Sequence, residues 1–135
     1  FVNGRFTDEY RQTTGAQPFK ASMERGGYSI RLVIWDVAGH LIGLHPAYAT
    51  DANGVLLVCD LSRTDSADIM RKWLASISER LGKVPLVIAV NKCDIAEFHE
   101  SCRSQLPEGV PVIVTSAKAN VNVQKAFLEL VDLMG

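Results

Sequence analysis

The stretch Val84-Pro85-Leu86-Val87-Ile88-Ala89-Val90 stops abruptly at Asn91-Lys92-Cys93-Asp94. It is short, rich in β-branched residues and almost wholly apolar, which predicts a buried strand. Two further runs have the same character. One is Gly54-Val55-Leu56-Leu57-Val58-Cys59-Asp60. The other is Val110-Pro111-Val112-Ile113-Val114, which runs into Thr115-Ser116-Ala117-Lys118. Short buried strands alternating with helical segments point to an α/β fold with a mostly parallel sheet. In open sheets of this kind, ligands bind at the carboxyl ends of the strands. The polar residues that close each run are therefore the first candidates for function.

The remaining segments fit the same order. Residues 17–24 read as a strand that Gly26-Gly27 turns into a second strand over 28–36, a hairpin with a permissive turn. Ser62-x-x-Asp65 offers a capping box. The helix after it carries Ile69, Trp73, Leu74, Ile77 and Leu81 at helical spacing, and Gly82 is its stop. A shorter helix is expected over 95–106. A last helix starts near Asn122 and puts Val123, Phe127, Leu130, Val131 and Met134 on one face. These stripes read as core. The chain of 135 residues, 47% hydrophobic and 21% charged, is expected to form a single domain. Its formal charge of -1 gives no electrostatic footprint for nucleic acid. Cys59, Cys93 and Cys102 lack metal-ligand spacing and read as reduced thiols. No apolar run is long enough to span a membrane.

The polar closures have specific chemistry. The Asp94 carboxylate can accept two hydrogen bonds from the adjacent N–H groups of guanine, a donor pair that adenine lacks. The Asn91 amide can donate and accept, and the Lys92 stem can lie along the base plane. A plain strand-to-helix loop with Asp94 as N-cap is the alternative. Ser116-Ala117-Lys118, a plain turn by itself, becomes a second wall of the same pocket after Asn91-Lys92-Cys93-Asp94. Asp36-Val37-Ala38-Gly39 follows Ile30-Arg31-Leu32-Val33-Ile34-Trp35. An Asp at a strand end can hold hydrated Mg²⁺, and Gly39 would let the backbone approach a terminal phosphate. A turn is the other reading of that motif.

Taken together, these motifs resemble the small GTPases of the Ras superfamily. Trp35, Pro46-Ala47-Tyr48 and Asn91-Lys92-Cys93-Asp94 look most like the Rab branch. Phe1-Val2-Asn3-Gly4-Arg5-Phe6 is similar to the stretch that ends the first helix of that family, and Thr13-Thr14-Gly15 falls at its first switch. The resemblance implies a three-layer P-loop NTPase-type fold with a mostly parallel sheet, and a GTP/GDP switch in vesicle and membrane traffic. It implies that Asn91, Lys92, Asp94, Ser116, Ala117 and Lys118 bind guanine. Gly39 and Thr13 would bind phosphate, and Thr13 and Asp36 would hold Mg²⁺. Effectors and regulators would dock at Trp35, Tyr48 and the switches. A third effector aromatic falls at Phe19 or is replaced by Pro18; ordinary packing is the other role for Trp35 and Tyr48. The location implied is cytoplasmic, and peripheral on endomembranes through a lipidated tail.

Departures from the family pattern set further expectations. No Gly-x-x-x-x-Gly-Lys-[Ser/Thr] occurs in the chain, which begins at Phe1. The family's first strand, phosphate loop and most of the first helix are expected to precede Phe1, and a tail to follow Gly135. A P-loop-less, non-enzymatic interaction domain is the alternative. The residues as written are not expected to hydrolyse GTP. The absent strand would lie between those at 28–36 and 54–60. Without it the chain should fold poorly, or those two strands must pair with each other or borrow a partner. His40 stands where the family has the Gln that orients the attacking water. An exposed loop histidine is its bland reading.

The imidazole lacks the paired donor and acceptor of an amide. In the full-length protein, His40→Gln is expected to raise intrinsic GTP hydrolysis, with His40→Ala changing it little. Single-turnover hydrolysis from preloaded nucleotide reads this step apart from exchange. Strong slowing by His40→Ala without acceleration by His40→Gln would instead make His40 a working catalytic residue.

Overall fold

The computed structural model describes residues 16–37 and 51–135. Gly26 and Gly27 have φ of +57° and +81°. Two consecutive left-handed residues form the tight turn whose twist matches that of antiparallel strands, and only glycine takes both positions without strain. They join β1 (Ala16–Arg25) to β2 (Tyr28–Val37), paired from Ala16↔Val37 to Arg25↔Tyr28. The alternation in sequence becomes two faces. Ile30, Leu32 and Ile34 of β2 are half-buried and lie opposite Met23, Ala21 and Phe19, with Met23 fully buried. Val33 and Trp35 occupy the exposed face. Pro18 is opposite Trp35 and Phe19 is opposite Ile34, so it is Pro18 that shares the face of Trp35.

The three apolar runs form a parallel sheet in the order β3 (Val55–Asp60), β4 (Leu86–Asn91), β5 (Val112–Val114). β4 is central, and Val87, Ile88, Ala89 and Val90 are all buried, as expected for a strand covered on both faces. On one face, Ile88 and Val90 join Leu57 of β3 and pack with Met70 and Trp73 of helix α1 (Ser66–Leu81). By strand alternation Val87 and Ala89 point to the other face. That face receives helix α3 (Val123–Met134), which buries Ala126, Leu130 and Val131. A short helix α2 (Glu100–Arg103) lies between β4 and β5 in the chain. This gives the three-layer α/β arrangement. Gly54, just before β3, has no room for a side chain: an added Cβ would lie 2.8 Å from Met134 Sδ and 3.0 Å from Leu130 Cδ1.

Two expectations are corrected. The capping box does not form. Ser62 instead gives its N–H and Oγ–H to Asp60 Oδ1, at 2.8 and 2.6 Å, and Asp65 binds Arg63. The carboxylate of Asp60 is the nearer acceptor, so Ser62 folds back toward β3. The helix over 95–106 shrinks to Glu100–Arg103, since the chain after β4 is first committed to a turn in which Lys92 O accepts from Ile95 and Ala96 N–H at 3.1 Å.

The strands at 28–36 and 54–60 do not pair with each other: β1-β2 and β3-β4-β5 are separate sheets, so of the alternatives for these two strands mutual pairing is not realised. A cleft of about 830 Å³ lies between them. Consecutive residues 31–37 and 54–59 line it. Side chains alternate between faces, so an unbroken run means that each strand turns its edge to the cleft. Met70 and Trp73 of α1 and Leu130 and Val131 of α3 also line the cleft. At the far end, Arg25 ties the hairpin turn to Asp132 of α3, with Nε donating to Oδ1 at 2.9 Å and Nη2 to Oδ2.

Two-sided burial of β4 predicts unequal costs for truncation. Ile88→Ala should lose about 3 kcal/mol, the usual range for an aliphatic side chain deleted from a packed core. Val58→Ala, at a position 58% exposed, should lose under about 1 kcal/mol. Urea denaturation of both variants measures the contrast, and equal losses would contradict the layer assignment.

Candidate functional site

All three strands of the parallel sheet end at one edge. Asp60 and Asn91 are register partners at the ends of β3 and β4. Thr115 and Ser116 continue from β5, with Thr115 N–H donating to Val90 O at 2.8 Å and Cys93 N–H donating to Thr115 O at 3.0 Å. Pairing thus persists past the strands and holds both loops together. Ser116 and Val121 form a bridge with reciprocal bonds of 3.0 and 2.9 Å, which closes the intervening residues 117–120 into a small loop.

Side chains join the two loops directly. Asn91 Oδ1 accepts from Ala117 N–H at 3.0 Å and from Thr115 Oγ at 3.2 Å. Ser116 Oγ donates to Asp94 Oδ1 at 2.7 Å and accepts from Ala119 N–H at 3.0 Å. Ser116 is fully buried, while Asp94 is exposed. The inward work falls to Ser116 and to the Asn91 carbonyl oxygen. The Asn91 N–H₂ group and the remaining acceptor sites of Asp94 are the groups such an arrangement reserves for a ligand. This donor and acceptor set fits a guanine edge.

Lys92 has φ of +71°, a left-handed conformation for a residue with a side chain. Its Nζ lies 2.7 Å from Asp60 Oδ2. Burial pushes the Asp60 carboxyl up, but the hydrogen bonds from Lys92 and Ser62 outweigh this and hold it below its ordinary value of 3.8. Asp60 and Thr115 escaped the reading of the sequence as site residues. The signal for Asp60 was present: it is the first charged residue after an apolar run, as Asn91 is the first polar one after its own.

Asn91, Lys92, Asp94, Ser116 and Ala117 are brought together at this edge. Lys118 sits in the same closed loop and is exposed. Asp36 lies elsewhere, inside β2 and opposite Gln17, where it lines the cleft. Thr13, Gly39, His40 and Tyr48 lie outside the described residues. Among the described residues there is no cluster of three or more His, Cys, Asp or Glu side chains able to hold a metal ion. No helix among them is long and apolar enough to cross a membrane.

The model of the Ras family matches residues 1–135. The chain belongs to the Ras family. Its relatives include the Ras-related protein Rab-8A of Rattus norvegicus, 33% identical over 138 residues that cover 96% of this chain and 67% of the relative. The Ras-related protein Rab-1C of Dictyostelium discoideum is 30% identical, with 96% and 69% covered. The GTP-binding protein YPTM1 of Zea mays is 30% identical, with 96% and 66% covered. The chain spans about two thirds of the length of these relatives. Membership of the Ras family implies guanine-nucleotide binding.

The depressed Asp60 carboxyl links the site to acid stability. Its charged form is favoured by folding, so its contribution is complete above the ordinary value of 3.8. The contribution is lost as pH falls through the lower, folded-state value. Asp60→Asn should therefore be less stable at neutral pH and show a flatter acid limb below about pH 4. Urea midpoints measured from pH 7 down to pH 2 test this, and parallel acid limbs for the two proteins would refute it.

Proposed function

We propose that this chain carries the guanine-binding half of a Rab-type GTP/GDP switch acting in vesicle and membrane traffic. The observation that carries the reading is the pair of cross-loop bonds, Asn91 to Ala117 and Ser116 to Asp94. They join the two loops directly, which supports reading the space beside them as a base slot. In this reading Asp94 takes the paired N–H donors of guanine, Asn91 donates through its amide, Lys92 lies along the ring, and Ser116-Ala117-Lys118 form the facing wall. The alternative of a non-enzymatic interaction domain draws no support from the comparisons.

The phosphate side of the proposal rests on residues of the family pattern. Thr13 and Asp36 are proposed to hold Mg²⁺, which when bound neutralises charge on the phosphate oxygens. Gly39 would offer its N–H to the terminal phosphate, and His40 would stand beside the attacking water. Trp35 supports a docking role on its own terms. It is 46% exposed on the outer face of the hairpin, next to Val33 at 61%, and a solvent-facing apolar pair on a strand suits a protein partner. Tyr48 and the switch segments would complete that surface.

Base choice tests the reading. The full-length protein should bind GDP at least about a hundredfold more tightly than ADP, roughly 2.7 kcal/mol. Asp94→Asn should weaken GDP and favour a xanthine nucleotide, whose base edge has an acceptor where guanine has a donor. Competition titrations with GDP, ADP and XDP measure both effects. Equal affinities for GDP and ADP would remove the assignment.

A further inference from the structure

Lys92 is held at both ends. Its backbone sits in the left-handed region at φ +71°, pinned by the two N–H groups, Ile95 and Ala96, that its carbonyl accepts at 3.1 Å. A residue with a side chain keeps such a conformation only where its surroundings over-determine it. Its ammonium is fixed by Asp60 Oδ2 at 2.7 Å.

Asp60 itself has little freedom. Oδ1 is occupied by the Ser62 N–H at 2.8 Å and the Ser62 Oγ–H at 2.6 Å, which stops the carboxylate from turning and leaves Oδ2 to the lysine. The Asp60 N–H donates to Oγ of Ser66, the first residue of α1, at 3.0 Å. The next amide, Leu61 N–H, donates to Asn91 O at 3.1 Å. The Asp60 side chain is 26% exposed, less than any other carboxylate in an ion pair among the described residues. Surface ion pairs are usually interchangeable and contribute little. This one is built into the strand end on three sides.

We propose that Asp60 is the positioning residue of the base site, fixing the Lys92 stem in the course along which the guanine ring is to lie. The inference rests on the guanine reading of Asn91, Lys92 and Asp94 and deepens it. A lysine stem free in solvent loses much of its rotamer freedom when a ligand orders it. Here Asp60 has ordered the stem in advance, so binding bears less of that cost. The same carboxylate joins the base loop to the Ser62 turn and the start of α1. Asp60 never needs to touch the nucleotide. It acts through Lys92.

A double-mutant cycle on the full-length protein, read by GDP affinity, tests this. Asp60→Asn keeps an acceptor for Ser62 and removes the charge. Lys92→Met keeps an apolar stem and removes the ammonium. Asp60→Asn should weaken GDP by about tenfold in the parent, the order expected for restored stem freedom, and by less than about twofold in the Lys92→Met background. A general structural role for Asp60 would give the same loss in both backgrounds. Side-chain NMR of labelled lysine gives a second readout that requires no nucleotide. Lys92 should gain mobility in Asp60→Asn while the Ser116 and Ala117 amide shifts stay in place. Ser62→Ala frees one oxygen of the carboxylate without touching its charge. It should give a smaller loss of affinity, and it stands in if Asp60→Asn does not fold. Asp94→Ala separates the two readings. If it weakens GDP and the cycle is additive, the positioning role falls and the base site stands. If it leaves GDP unchanged, the base site and the positioning role fall together.

Discussion

Burial of β4 on both faces is the constraint on which the rest depends. Val87 and Ala89 are covered from one side and Ile88 and Val90 from the other. A strand placed this way cannot slip by one residue, because a slip of one would exchange every side chain between layers that already fit. Register with β3 and β5 is therefore fixed. With it is fixed the position at which each strand runs out of apolar residues. Asp60, Asn91 and Thr115 reach the same edge of the sheet because the core upstream leaves them no other place.

That edge is stiff for a second reason. Loops usually owe their shape to their own turns, but here each loop borrows from its neighbour. Asn91 holds the backbone of the β5 loop, Ser116 holds the carboxylate of the β4 loop, and Lys92 reaches across to β3. Ser116 is wholly buried and yet polar, and its two bonds satisfy it fully. A buried network of this kind is costly when incomplete and rigid when complete. Rigidity before binding is what a site needs to discriminate between bases that differ by one donor pair.

Much of this was legible in the chain. The apolar runs announced the parallel strands, Gly26-Gly27 announced the hairpin turn, and Gly82, with φ of +64°, ended α1 where expected. That Asn91, Asp94, Ser116 and Ala117 come together was legible because their positions follow strand ends. What escaped depends on choices between near-equal partners. Ser62 had two partners within reach, the N–H donors at the start of a helix and the acceptor carboxylate of Asp60, and spacing alone does not rank them. Met70 and Ala126 went unlisted as core: they flank the apolar stripes, and only the packed layers show how wide each buried face is. The short α2 reflects the turn at Lys92, whose left-handed backbone no propensity anticipates. Thr13, Gly39, His40 and Tyr48 fall outside the described residues, so their roles rest on the family pattern.

The separation of the two sheets has a consequence for cooperativity. Ladder hydrogen bonds make a sheet open as one piece, and none crosses from β2 to β3. Among the described residues, side-chain packing around the cleft and the exposed Arg25–Asp132 pair at its tip help to join the hairpin to the rest. A two-stranded hairpin is marginal by itself, and an exposed ion pair adds little to it. A strand laid in the cleft between residues 31–37 and 54–59 would give both edges ladder partners and join the two sheets into one cooperative unit.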